Sequence, residues 1–352
     1  MKKNEADAAF WRGRRVLLTG HTGFKGAWLH LWLQTLGAEV TGYALAPKGE
    51  VNLWTLVGGA ARSLIGDIRD AARVREVMVQ ARPQVVMHMA AQALVRESYR
   101  DPLGTYDTNV MGTANVLQAC RGVPELQCII VVTSDKVYEN HDAGHPFVET
   151  GRLGGHDPYS NSKACAELVT GSFRDSFFQQ GPPLASARAG NVIGGGDWSD
   201  DRLIPDCVRA LQQGTPVPLR YPDAIRPWQH VLEPLSGYLA LAQALVLTPQ
   251  VAPRAVNFGP DPASFCTVRG VVDAFSARFG GRPGWQRDGG THPREAKALT
   301  LSSALAERAL GWRPRLAIEE ALAWTADWYK AFEQGDDMLA FTRAQLAQYD
   351  HR

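Results

Sequence analysis

Short apolar runs alternate with longer amphipathic stretches through the first half of the chain. Val16–Leu18 reads as a buried strand, and Ala27–Leu36 follows as a helix rich in Leu and Trp. Glu39–Ala44 alternates like a strand, Ser63–Ile65 is a third, and Ala71–Gln80 a helix behind it. Val85–Met89 and Cys128–Val132 are apolar throughout, as strands buried on both faces of a parallel sheet are. Pro102–Cys120 between them, and Pro158–Phe178 after them, read as long helices. This repetition predicts an α/β fold, a Rossmann-like doubly wound parallel sheet. Beyond about Ala189 the alternation lapses. The chain there is rich in Gly, Pro, Arg and Trp and predicts a smaller C-terminal lobe built largely of loops. Leu310–Pro314 stops a helix, and Ile318–Phe332 is an amphipathic one.

The first strand breaks at glycine. Gly20, Gly23 and Gly26 follow it at intervals of three, within Gly20-His21-Thr22-Gly23-Phe24-Lys25-Gly26. Gly20 permits a tight turn, Gly23 lets a pyrophosphate approach bare backbone, and Gly26 lets the helix pack on the strand. The phosphates would sit on the helix N-terminus. Three glycines alone are weak, but the later strand ends add to them. Asp67, directly after the third strand, fits an adenine amino group, although Asp67 or Asp70 would also serve as a helix cap. Ala90-Ala91-Gln92 after the fourth strand are small enough for a cofactor to lie against the backbone. Asn109, among apolar neighbours, is either structural glue or part of a proton relay. Thr133-Ser134-Asp135-Lys136 stands at the end of the fifth strand, where ligands bind in open parallel sheets. Tyr159 and Lys163 then lie one helical turn apart behind Pro158. Glycine loop, hydroxyl and Tyr-x-x-x-Lys occur in the order one active site requires. On this reading residues 1–189 form the dinucleotide-binding part, to which the chain returns near 228–260. Residues 190–352 form mainly the substrate lobe and C-terminal helices.

Composition narrows the partners. With 37 basic and 36 acidic side chains, the charge balance favours neither nucleic acid nor an anionic membrane. Met1–Phe10 is polar and lacks a signal-peptide core, and no apolar run is long enough to span a membrane. The scattered, odd-numbered cysteines (Cys120, Cys128, Cys165, Cys207, Cys266) show no Cys-x-x-Cys pair and suit a reduced cytoplasm. No metal is expected. The second strand ends without an acid for a ribose 2′-hydroxyl, which leaves NAD against NADP open at the level of these residues.

From about Trp11 to Tyr329 the chain resembles the extended short-chain dehydrogenase/reductase family. Within that family it is similar to the nucleotide-sugar 4,6-dehydratases, in the branch acting on CDP-sugars. Thr19–Leu33, Thr133–Tyr138, Asp157–Val169, Arg188–Trp198 and Ala224–Tyr238 carry the likeness. The resemblance implies NAD held by Gly20, His21, Thr22, Gly23, Phe24, Lys25, Gly26, Asp67, Ile68, Met89, Ala90, Ala91, Gln92, Tyr159 and Lys163. It implies a nucleotide sugar held by Ser98, Asn191, Arg202, Arg226, His292 and Glu295, with Arg226 on the diphosphate. Arg220 is a further arginine that could clamp phosphate. Tyr159, as a phenolate favoured by Lys163, would take the sugar 4-hydroxyl proton while Ser134 holds the reacting oxygen. Asp135 would protonate the leaving 6-hydroxyl. Related dTDP-sugar enzymes carry Glu where this chain has Lys136; the CDP-sugar branch shares the lysine. Lys136 as C5 base therefore matches the family by position and not by residue type, with Tyr138 or a water on Asp135 as the next candidates. The resemblance also implies a homodimer or dimer of dimers, paired through Pro102–Cys120 and Pro158–Phe178. A 4-epimerase, a dehydratase for another nucleotide and a non-catalytic cofactor sensor are the competing readings.

Overall fold

In the computed structural model, which describes residues 7–57, 62–142, 144–281, 284–292 and 295–352, the apolar runs become one fully parallel sheet. Its strands are β1 Arg15–Thr19, β2 Glu39–Ala44, β3 Ser63–Ile65, β4 Val85–His88, β5 Cys128–Val132, β6 Leu184–Arg188 and β7 Ala255–Asn257. They lie in the order β3-β2-β1-β4-β5-β6-β7. The direction of winding reverses between β1 and β4, and the crevice beyond their C-terminal ends is where such sheets bind ligands. Thr19 stands at that reversal, paired with Tyr43 on one side and His88 on the other. Its hydroxyl accepts from the Met89 and Ala90 amides, both at 3.1 Å, and contacts His88 Nδ1 at 2.7 Å.

The helix after β1 is Phe24–Thr35, starting three residues earlier than its apolar run because Gly23 is its cap. Its faces carry Trp28 and Trp32, both fully buried, in a core that continues through Leu232–Leu247 to Trp328 on Ile318–Gln334. One core thus joins sheet and C-terminal region. Asp70 caps Ala71–Ala81 by accepting from the Arg73 amide.

Two expectations fail. Pro102–Cys120 is not one regular helix: Asp107–Met111 is a π turn between the helices Pro102–Tyr106 and Gly112–Cys120. Such a turn carries one extra residue and re-aims side chains. Here it contains Asn109, whose amide bonds Gln92 O at 3.0 Å and Ser162 Oγ at 2.9 Å while its oxygen accepts from Gln92 N at 2.8 Å. All its polar atoms are committed, so it clamps the loop after β4 to the next long helix. The C-terminal lobe is also not built largely of loops. It contains Leu203–Gln213, Val268–Phe279, Ala304–Leu310, Ile318–Gln334 and Met338–Asp350. Pro205 and Pro234 look like breakers in the sequence, yet each sits in a first helical turn, where a missing N–H costs nothing. Among the described residues no helix is long and apolar enough to cross a membrane, and no cluster of His, Cys, Asp and Glu could hold a metal ion.

Candidate active site

The glycine loop packs against the loop after β4. Gly20 has φ +80°, and a Cβ there would stand 2.7 Å from Ala90 N; one on Gly26 would stand 2.0 Å from Gly20 O. Both glycines are demanded by the protein's own packing. Gly23 is different, since a Cβ there would meet only Gly20 O at an ordinary 3.4 Å. Gly23 begins the 12-residue helix without any side-chain cap, so first-turn N–H groups stay open beside bare backbone. That fits the pyrophosphate of a dinucleotide. Thr22 braces the loop through Leu45 O at 2.9 Å, and Ala90, Ala91 and Gln92 line its far side, half-buried.

Two expected cofactor side chains point elsewhere. His21 is fully buried over Gly42, bonded to Ser63 Oγ at 2.7 Å, and burial lowers its pKa to about 4. Only its backbone is available to a ligand. Lys25 turns inward and donates to the Tyr238 hydroxyl at 2.9 Å. Burial, then the charges of Lys163 and Arg202, pull it down to about 7, with Asp135 opposing. Phe24 touches the Gly194 region. Ile68 is buried, with its carbonyl held by Asn115 at 3.0 Å. Asp67 is partly exposed and its carboxylate is gripped by Arg69, which lowers its pKa.

The fifth strand delivers the second half of the site. Ser134 caps a short 3₁₀ turn, Asp135–Val137, by accepting from Lys136 N at 3.2 Å. Its hydroxyl donates to Asp135 Oδ1 at 2.9 Å. Asp135 is buried against Gly190, where no Cβ would fit, and its Oδ2 has no partner. Lys136 is half-buried, and its ammonium makes no hydrogen bond or ion pair with a described residue. Tyr138, the next base candidate from the sequence, is closed off. It is 2% exposed, and its hydroxyl bonds Asn257 Oδ1 at 2.7 Å and Arg188 at 2.8 Å.

Asp157 and Pro158 start the helix Pro158–Phe177 that carries Tyr159 and Lys163. Both are buried. Burial raises the Tyr159 pKa, opposed by Arg202 and then by Ser134, with the charges of Asp135 and Asp157 adding to the rise. Lys163 donates to Val132 O at 3.3 Å; burial lowers it to about 8, with Glu167 opposing. Glu167 is one turn further along. Burial works against its charge, but Arg188, at 2.7 Å, with Ser186 and Thr133, holds it below the usual range. This buried network supports the floor of the site and escaped sequence reading. Its signal was a glutamate on the same helical face as Tyr159 and Lys163. Tyr238 was also missed, because nothing local marks a partner 213 residues from Lys25.

The expected substrate residues divide. Ser98 does not face a ligand: it is fully buried, donates to Val95 O at 2.7 Å and accepts from Tyr159 N at 3.0 Å. It positions the start of the Tyr159 helix. Asn191 adopts φ +44° with a buried Oδ1 that lacks any partner. Arg202 reaches Ala93 O at 3.2 Å and lies close enough to influence Tyr159. Arg226 is buried and pairs with Glu295 at 3.1 Å, with Arg220 at 3.9 Å from the same carboxylate. His292 pairs with Asp288 at 3.1 Å; its neighbours Pro293 and Arg294 lie outside the described residues.

Residues 16–259 match the family described as NAD dependent epimerase/dehydratase. The chain belongs to that family. It is 46% identical to a CDP-glucose 4,6-dehydratase of Salmonella typhimurium over 97% of this chain and 98% of the relative. It is 27% identical to a dTDP-glucose 4,6-dehydratase of Xanthomonas campestris, over 89% of this chain and 92% of that one. Among solved structures, a Bacillus anthracis dTDP-glucose 4,6-dehydratase in complex with NAD superposes with TM-score 0.77 at 22% identity, covering 93% of this chain and 100% of that one. At that identity the likeness speaks for the fold. The family is NAD-dependent, and the open backbone at Gly23 fits that cofactor.

Proposed function

We propose that this chain is a CDP-glucose 4,6-dehydratase, forming CDP-4-keto-6-deoxyglucose and water. The observation that carries the reading is the run Ser134-Asp135-Lys136 beside Tyr159 and Lys163, a hydroxyl, an acid and a free amine together at one sheet edge. A 4-epimerase has no use for the additional acid and base. The 46% identical relative supports the choice of nucleotide. Bound in the β1–β4 crevice, NAD would accept the C4 hydride and return it at C6. Tyr159 takes the proton of the 4-hydroxyl, whose oxygen Ser134 holds. The ketone at C4 acidifies C5, and Lys136 removes that proton. Asp135 protonates the departing 6-hydroxyl, and Lys136 later returns a proton to C5. Buried Tyr159 and Asp135 keep water from these protons.

We assign residues 1–189, with the return near 228–260, to the cofactor and 190–352 mainly to the nucleotide sugar. Support for a homodimer or dimer of dimers comes from Leu103, Met111 and Leu168, which expose 80%, 53% and 61% of their surface on the two helical segments expected to pair. Five free cysteines suit a reduced cytoplasm.

Incubation with CDP-, dTDP- and UDP-glucose plus NAD, with products read by mass spectrometry, tests the reading. CDP-glucose is expected to lose one water with no net reduction of NAD. A product that keeps its C6 hydroxyl would point to an epimerase, and stoichiometric NADH would rule out both.

Arg226, with Arg220 beside it, is assigned to the diphosphate, and Glu295 to hydroxyls next to it. Arg226→Ala is expected to raise the KM for CDP-glucose by about 10- to 100-fold, the worth of roughly 1.5–3 kcal/mol of charge-assisted hydrogen bonds. The kcat should change little. An unchanged KM would restrict Arg226 to its pairing with Glu295.

A further inference from the structure

Pro158–Phe177 begins inside the site, and a helix has no acceptors of its own for the N–H groups of its first turn. Pro158 carries no N–H, and Asp157 accepts from Ser160 N at 2.9 Å. The Tyr159 N–H is left over, and the local sequence supplies nothing for it. Ser98 takes it, at 3.0 Å, from 61 residues upstream. Ser98 is fully buried and gives its own proton to Val95 O at 2.7 Å, so its oxygen meets Tyr159 as an acceptor.

Ser98 is tied in turn to the loop after β4. It sits on the short helix Val95–Arg100, which starts from Leu94. The Gln92 side chain holds both backbone atoms of Leu94, accepting from its N at 2.6 Å and donating to its O at 3.1 Å. Ser98 N donates to the same carbonyl at 3.2 Å. A second line leaves the main chain of Gln92 through Asn109 to Ser162 Oγ, which donates to Tyr159 O at 2.7 Å. The N–H and the C=O of Tyr159 are thus both bonded back to the loop that lines the dinucleotide crevice.

We propose that Ser98 is a positioning residue for oxidation at C4, fixing Tyr159 against the cofactor loop without touching substrate. The inference rests on the reading of Tyr159 as the group that takes the 4-hydroxyl proton. That oxidation removes a hydride from carbon and a proton from its oxygen, so the proton acceptor must keep a set distance from the crevice. A displacement of about 1 Å at such a site costs about 10²-fold in rate. Without the Ser98 hydroxyl, a buried N–H at the start of the helix loses its acceptor, and the first turn has to move to find another. Ser98 therefore acts through Tyr159 alone.

The test is Ser98→Ala, made in the parent and in Tyr159→Phe, at saturating NAD and CDP-glucose. In the parent it should lower kcat by about 10-fold and leave the KM for CDP-glucose within about two-fold. Calorimetric titration with NAD should give the parent's stoichiometry and an affinity within about two-fold, which separates slower turnover from loss of folded protein. In Tyr159→Phe there is no phenol to place, and Ser98→Ala should change the residual turnover by less than about two-fold. A raised KM with kcat unchanged would overturn the proposal and make Ser98 a substrate ligand. Unchanged kcat and KM would overturn it outright. An equal loss in both backgrounds would overturn it, since the effect would not run through Tyr159. A loss of kcat matched by a loss of NAD stoichiometry would overturn it too, leaving Ser98 a folding residue. Failure of the parent on CDP-glucose would strike the dehydratase reading and not this one, because the same variants can be compared on whichever nucleotide sugar the parent oxidises at C4.

Discussion

Tyr159→Phe is expected to lower turnover of CDP-glucose by about 10³-fold while fold and NAD affinity stay near those of the parent. The ring of Tyr159 is buried, and its backbone N–H is held by Ser98 at 3.0 Å. Phenylalanine keeps both features, because neither involves the hydroxyl. What disappears is the acceptor for the 4-hydroxyl proton. A C4 hydride cannot leave while O4 keeps its proton, so the defect should appear at the first step. Rapid mixing should show no transient absorbance of reduced nicotinamide, and calorimetric titration should give an NAD affinity within about two-fold of the parent's. Turnover within a few-fold of the parent would remove Tyr159 from the chemistry.

The parts legible in the sequence are those encoded over a few residues. Gly20, Gly23 and Gly26 announce a strand-to-helix turn because backbone sterics act locally, and continuous apolar runs such as Cys128–Val132 announce strands buried on both faces. Tyr159 and Lys163 share a face by helical periodicity. Illegible were the features decided by distant neighbours. Ser98 resembles a substrate ligand until Tyr159 arrives over its hydroxyl. His21 sits in the phosphate loop, yet the hole above Gly42 draws its ring inward. Arg226 and Glu295 each fit a substrate role alone and turn out to face each other. The π turn at Asp107–Met111 leaves no mark in composition, because one extra residue in a turn alters pairing and not polarity. In the C-terminal lobe the Pro-rich composition was misleading, because Pro205 and Pro234 sit in first helical turns.

Lys136→Met separates the two halves of the reaction. The position follows the acid directly, at the end of β5, and the side chain is half-buried without a partner among the described residues. An amine so placed has no structural duty that methionine would fail to perform, since the stem length is similar and no ion pair is broken. Tyr138, the rival base, is tied to Arg188 and Asn257 and cannot reach a substrate without breaking both bonds. Oxidation at C4 uses Tyr159 and Ser134 and should survive. Removal of the C5 proton should fall by about 10³-fold, so turnover should stall with reduced nicotinamide and 4-keto-glucose on the enzyme. In D₂O that sugar should carry no deuterium at C5. If Lys136 instead binds a phosphate oxygen, Lys136→Met should bind CDP-glucose weakly yet finish each turnover it begins. Deuterium would then enter C5 as in the parent, and the base role would pass to a water held by Asp135.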